Sequence, residues 1–424
     1  MTASEKKTFY LHLIYSFLDG IIVGVLALNE FVLLKSLRAS NYEIATLVQF
    51  TVILLLFANF INELIKRSHN KKRMLKYMAF FTRLPLLLMF FFPQNANEIA
   101  NSHYHLLFLG VFFMYYLADP FILPTISLFL KTSYSHQNFG KLYSYASMLN
   151  KIVILFATFM FGLLLDLDMF AFRYIYPVIG ILGIISVFTL TQIDYHEPEN
   201  LWVKTKFIDS VKDSFKVMFR ILKENLAFSH FQIAFMIYGF VWIGTMAAIN
   251  IFFDEVLNLN YSSVAFYKNS YNTIAIVILP FFGKIIGKLD PRKFGIYSFA
   301  SLLLFLLFML LTEYFPYYIT IFGLKIYYLL ILSYTFYGIF AATMALLWYI
   351  GSAYFCKKEE TANYQAVHLT LTGVRGAFAP ILGMIVYETF SFTGVFGIGI
   401  AMMLASIGVL FYSLKKIPKV VINN

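Results

Sequence analysis

Charge is scarce in this chain: only 13% of its 424 residues are Asp, Glu, Lys or Arg. An average soluble domain carries roughly a quarter. A water-soluble fold of this length could not cover its surface with so few charges, so lipid is the solvent implied. Cysteine is nearly absent too. Cys356 stands alone, which excludes an internal disulfide, and Lys357, Lys358, Glu359 and Glu360 beside it put it in a short polar loop. Acidic residues are outnumbered 22 to 33 by Lys and Arg, but that excess implies a nucleic-acid partner only if the membrane does not account for it. There is no H-E-x-x-H, no Walker A loop, no CxxC pair and no G-x-S-x-G. Neither ATP hydrolysis nor metal-dependent catalysis is supported, and we expect no enzyme, no cofactor and no metal site.

What the chain has is apolar length. Hydrophobic residues make up 60%, and mean hydropathy is +0.74. A hydrocarbon core of about 30 Å is crossed by about twenty apolar residues in a helix. That rule yields twelve spans, near 10–33, 44–65, 76–93, 104–130, 142–165, 172–192, 229–252, 263–286, 294–313, 326–350, 364–387 and 393–414. The predicted fold class is therefore all-α, a polytopic membrane protein in two six-helix bundles, residues 1–193 and 227–424, joined by a linker over 194–226. The first apolar stretch follows Lys6 and Lys7, is longer than a leader's apolar region and lacks an A-x-A-like end, so it reads as a retained anchor. In the linker, Phe207, Val211, Phe215 and Phe219 alternate with Lys204, Lys206, Lys212, Lys216 and Arg220, a basic amphipathic segment suited to the membrane surface.

Counting Lys and Arg by loop gives about 25 on the side of the termini against about 5 on the other. Both termini and the linker are expected in the cytoplasm, in a cell membrane, and no nucleic acid is needed to explain the net charge of +11. The halves also echo one another. Tyr15-Ser-Phe-Leu-Asp19-Gly-Ile-Ile-Val-Gly24, with Asn41-Tyr42 beyond it, corresponds to Met236-Ile-Tyr238-Gly239-Phe-Val-Trp242-Ile-Gly244 with Asn260-Tyr261, about 220 positions on.

Two parallel six-helix halves, a basic amphipathic cytoplasmic linker and a loop string after the eighth span resemble the major facilitator superfamily. The string is Gly283-Lys-Ile-Ile-Gly287-Lys288-Leu-Asp290-Pro291-Arg292-Lys293. It is a degraded form of the family's loop motif, with Gly283, Arg292 and Lys293 matching, Lys288 conservative, and Gly287 and Asp290 departing. After the second span only a basic cluster, Lys66 to Arg73, and Glu63 survive. The resemblance implies a gate in this loop and a monomeric secondary transporter working by alternating access. Its substrate would be a small molecule, and protons and the bilayer its other partners. Small residues at Gly373, Gly376, Ala379 and Gly383 with Pro380 look like the hinge motif of exporters in the superfamily. That motif belongs in the fifth span, which here has no proline, so export is not inferred.

An ionisable side chain inside a span costs several kcal/mol unless paired or hydrated, which makes each a candidate site. Asp19, Asp119, Lys151 and Arg375 qualify, and the resemblance would gather them around a central cavity. Asp119 with Lys151, or Asp19 with Lys151, is expected to pair, either as a static strut between helices or as a switch that breaks when a proton or substrate binds. Arg375 is either an anchor for an anionic group or bonded to carbonyls within its Gly-rich string. Arg83, before Pro85, is expected to snorkel to the cytoplasmic surface. Candidate cavity-lining residues are Asn29, Gln49, Asn150, Tyr238, Trp242, Asn269, Tyr337 and His368. The opposed charges favour a polar or charged solute such as an amino acid or organic anion. The rival readings are a non-transporting receptor or assembly factor on the same fold, and a drug or metabolite exporter.

Overall fold

The computed structural model describes residues 2–68, 70–95, 98–99, 103–134, 136–195, 207–286, 289–356 and 360–417, and these are almost wholly helical. The chain forms two compact units, one of Met1–Glu43 with Phe60–Phe207, the other of Ile44–Asn59 with Ile208–Asn424. Residues 44–59, from the second predicted span, group with the second unit.

In the first unit, α1 (Ala3–Leu26) opens with a capping box, in which Thr2 accepts from the Glu5 amide and Glu5 accepts from the Thr2 amide. A short α2 (Asn29–Lys35) continues it after a break at Ala27 and Leu28. After α3 (Asn41–Ile53), most of which belongs to the second unit, and α4 (Ala58–Arg67), α5 (Lys71–Arg83) starts on an Asn70 side-chain cap. It tightens into a 3-10 stretch, Leu84–Phe91, where Pro85 removes an amide donor. The fourth predicted span is two helices, α6 (Tyr104–Tyr116) and α7 (Asp119–Ser133), parted just before Pro120. The long α8 (His136–Leu167) and α9 (Phe172–Leu190) complete the unit.

The second unit carries α10 (Phe207–Glu224) over the described part of the linker, then α11 (Leu226–Glu255), α12 (Tyr261–Ile286) and α13 (Pro291–Tyr314). A hairpin of β1 (Tyr318–Ile321) and β2 (Leu324–Tyr327), which the sequence reading did not anticipate, leads into α14 (Tyr328–Ile350). The last two predicted spans form one run, α15 (Thr361–Lys416), bent at Ser391, whose φ of 57° and ψ of −167° are not helical.

Among the described residues nine helical segments are long and apolar enough to cross a membrane. The twelve expected spans reconcile with them. The segment Asn363–Lys416 counts once but bends into two helices at Ser391, residues 41–67 are cut by a 3-10 turn at Leu54–Phe57, and the 26-residue α12 carries the polar Lys268, Asn269, Ser270 and Asn272 in its first half.

The repeat extends to backbone detail. Arg38 and Asn258, 220 positions apart, both adopt a left-handed conformation, with φ of 51° and 48°. Around them the amides of Leu37 and Ala39 reach the carbonyls of Val32 and Leu33, as those of Leu257 and Leu259 reach Phe252 and Phe253. Asn70 and Asp290, again 220 apart, cap α5 and α13. Gly24 of α1 lies against α8, where an added Cβ would come within 2.8 Å of the Ile154 carbonyl. Gly244 of α11 lies against α15, where an added Cβ would come within 3.0 Å of the Ala379 carbonyl. Small residues let these backbones approach where lipid supplies no hydrophobic drive between helices.

Candidate functional site

Asp19 lies on α1 two helical turns before the break, on a helix held to α8 by the Gly20 and Gly24 crossing. Asn150 Nδ2 of α8 donates to Asp19 Oδ2 at 3.1 Å and to the Ser16 carbonyl at 2.9 Å, and Tyr15 donates its hydroxyl to Asp19 Oδ1 at 3.3 Å. The carboxylate thus meets two neutral donors within the bundle.

Arg83 reaches the same place from α5. Its guanidinium stands 4.7 Å over the Tyr115 ring, donates from Nη1 to Thr82 Oγ1 at 2.8 Å, and brings Nη2 to 3.8 Å from Asp119 Oδ1. Its Nε has no hydrogen-bond partner among the described residues. Gly183 makes room for it, since a Cβ there would press to 3.0 Å on Arg83 Cγ. A cavity of about 370 Å³ opens among these groups, lined by Tyr15, Asp19, Arg83, Tyr115, Tyr116 and Asp119 with Ile122, Leu123 and Ser186.

Two expectations are corrected here. Lys151 pairs with neither Asp119 nor Asp19; it is exposed on α8. Arg83 does not snorkel but is buried, 5% exposed, and faces Asp119. The reason is the helix start. Counting from the Asn70 cap puts Arg83 twelve residues beyond Lys71, about 18 Å deep at 1.5 Å per residue, too far for its stem to reach the surface. A span read as starting at 76 places it much shallower.

Asn29 is a buried clasp. It accepts from the Tyr176 hydroxyl at 2.8 Å and donates to the Tyr116 hydroxyl at 3.4 Å.

In the second unit Arg375 is buried, with Nη1 donating to the Phe235 carbonyl and Nη2 to the Tyr238 hydroxyl at 3.4 Å. Its guanidinium stacks over Tyr238 at 4.8 Å and Trp348 at 5.8 Å. A side chain at Gly239 would overlap that guanidinium. Of the two readings, bonding to a carbonyl is what the structure has, although to the facing helix α11 rather than to its own string. Arg375 Nε finds no partner among the described residues. His368, also buried, meets Gln232 Oε1 through Nδ1 at 3.1 Å and sits edge-on to Phe235 and Trp348.

Trp242 donates from Nε1 to the Tyr337 hydroxyl at 2.9 Å, and Tyr337 packs on Tyr271, Phe305 and Phe340. Gln49 donates to the Ala377 carbonyl, and Asn269 is half-buried on α12.

The loop string is a structural joint. Arg292, fully buried, takes both oxygens of Asp290 through Nε at 3.0 Å and Nη2 at 2.8 Å, and reaches Ser413 at the end of α15 through Nη1. Asp290, one of the two departures from the motif, supplies the counter-charge. Lys293 is exposed, no atom would obstruct a Cβ at Gly283, and Lys288 lies outside the described residues.

No curated protein matches this chain in sequence. Solved structures do match in fold. The nucleoside transporter NupG aligns with a TM-score of 0.68 at 16% identity, over 98% of this chain and all of that one. The peptide transporter POT in complex with sulfate aligns at 0.65 and 12%, over 96% and 95%. A D-xylose-proton symporter aligns at 0.65 and 14%, over 98% of each chain. At such identities the likeness speaks for the fold. The sequence itself carries the family, since the Major Facilitator Superfamily model matches residues 9–324. This chain belongs to the Major Facilitator Superfamily.

Proposed function

We propose that the protein is a secondary active transporter that moves a small polar or charged solute across a cell membrane by alternating access, driven by protons. The observation that carries this is the cavity in the first unit, where Asp19, Arg83 and Asp119 meet three tyrosines inside a membrane-spanning bundle. Two carboxylates and a guanidinium are too costly to hold in lipid without hydration or a charged cargo. Arg83 offers a guanidinium whose Nε is unengaged among the described residues, suited to a carboxylate or other anionic group. Asp19 and Asp119 can hold a substrate amine or a proton. The 3.8 Å between Arg83 and Asp119 is too long for a direct hydrogen bond, so the contact can be exchanged cheaply. An amino acid fits this pattern best, and an organic anion next. The similar transporters, named for nucleosides, peptides and xylose with protons, agree with a small polar cargo. We place both termini in the cytoplasm and take the monomer as the working unit.

The test is uptake into proteoliposomes from a pool of labelled metabolites, with and without an imposed pH gradient. Accumulation of an amino acid or organic anion under the gradient supports the proposal. Asp19→Asn should keep downhill exchange and lose at least tenfold of the uphill accumulation. Equal uphill accumulation by this variant would remove Asp19 from coupling, and no uptake of any solute would remove transport.

A further inference from the structure

The hairpin between α13 and α14 has features that its role as a connection does not require. Its two-residue turn, Phe322-Gly323, places both residues at positive φ, 50° and 79°. Gly accepts such a conformation freely, and Asn or Asp tolerates it, so Asn-Gly is the common choice. This chain instead sets a Phe in the strained position and leaves the ring 99% exposed. All four residues of β1 are exposed as well, and the ring contact this strand makes is with its own hairpin partner, Tyr318 against Tyr327 at 4.8 Å. A hairpin in water covers one face.

The other strand is held firmly. The Lys325 amide donates to Ser263 Oγ at 3.0 Å, the Tyr327 amide to the Tyr267 hydroxyl at 2.7 Å, and the Lys325 ammonium to the Asn258 carbonyl at 2.7 Å. The bare strand and its tip are therefore presented by a rigid mount. The hairpin joins Tyr314 and Tyr328, the ends of two membrane spans. Strands of four residues reach only about 13 Å at about 3.3 Å per residue, so a hairpin lying along the membrane surface keeps its tip beside the two spans, within the headgroup region. From Pro316 to Tyr327 there is no acidic residue, and the only charge, Lys325, is bound back to the protein. Tyr317, Tyr318, Ile319, Ile321 and Phe322 make up the open side.

We infer that this hairpin is an interfacial anchor, with β1 and the Phe322 ring lying among lipid headgroups and upper acyl chains. Aromatic side chains favour that zone, and apolar contact there compensates for the strained turn. The partner is the lipid surface that borders the two flanking spans, rather than another protein. The inference requires that those spans cross a bilayer and is independent of whether the protein transports anything.

Cys356 is the only thiol, so Cys356→Ser gives a background for site-directed spin labelling. Labels at Phe322→Cys and Ile319→Cys, in phosphatidylcholine proteoliposomes, are compared with a label at the exposed Lys6→Cys for collisions with oxygen and with a water-soluble nickel chelate. The ratio of oxygen to nickel collisions is expected to be at least fivefold higher at 322 and 319 than at 6. A ratio equal to that at position 6 would put the hairpin in water and overturn the inference. Immobilised labels whose dipolar broadening grows with the protein-to-lipid ratio would overturn it too, by showing that a second copy covers the strand.

Discussion

Replacing Asp119 by Asn removes one charge from a contact of 3.8 Å with Arg83 Nη2. Two unit charges at that distance attract by about 4 kcal/mol at an effective dielectric of about 20. Asp119 is 40% exposed while Arg83 is 6% exposed, so solvent screens one side of the pair. A coupling of about 1–2 kcal/mol is what should remain after that discount. A double-mutant cycle of Asp119→Asn and Arg83→Gln, read by unfolding in bicelles, measures it. Each single variant leaves one charge inside the bundle without its partner, and the double variant should recover part of the loss because neither charge is then stranded. Lys151→Gln serves as the internal control and should change stability by less than about 0.5 kcal/mol, as expected of an exposed position. A coupling below that value for Arg83 with Asp119, or a larger one for Lys151 with Asp119, would refute the pairing and the cavity built on it.

Asp290→Ala should destabilise the protein by about 3–5 kcal/mol, because the fully buried Arg292 loses its counter-charge; a melting curve unchanged from wild type would contradict the joint to Ser413. Gly239→Ala should cost about 1–3 kcal/mol through overlap with the Arg375 guanidinium, and combining it with Arg375→Met should cost less than the sum of the two in the same unfolding assay. Phe322→Asn should raise stability in detergent by about 1 kcal/mol, since Asn tolerates the left-handed turn that Phe resists; a loss in detergent would show that the ring packs on the protein.

Much of the fold could be read from hydropathy because a bilayer fixes the length of its spans, and the loop charges needed no structure to count. The repeat was visible as a few shared residues near Gly24 and Gly244, and its best marks, the left-handed turns at Arg38 and Asn258, are backbone features carried by two unlike side chains. Span interruptions were harder. Pro85 and Pro120 signal breaks inside apolar runs that hydropathy reads as single spans, whereas the bend at Ser391 falls in the gap between the spans ending at 387 and starting at 393. The hairpin was missed because Tyr-Ile-Thr-Ile and Leu-Lys-Ile-Tyr fall in the gap between two apolar runs, and its turn carries Phe-Gly rather than Asn-Gly.

For the candidate site, the cost of a carboxylate in lipid singles out Asp19 and Asp119, which line one cavity. The same rule reaches Arg83 only once its depth is known, and that depth depends on where α5 starts, which the Asn70 cap sets. Depth alone would pair Lys151 with Asp119, but depth does not fix the side of the helix on which each residue stands, and Lys151 is exposed.

The account depends on water or a hydrophilic ligand reaching the cavity around Asp19, Arg83 and Asp119. In the Cys356→Ser background, Ala27→Cys places a small thiol on the cavity wall, and Phe156→Cys places one at a residue 69% exposed on an apolar stretch of α8. The measurement is the rate of reaction of each with a charged, membrane-impermeant methanethiosulfonate in proteoliposomes. The account predicts that position 27 reacts at least tenfold faster than position 156 and that Arg83→Gln alters its rate. Equal and negligible rates at the two positions would contradict it.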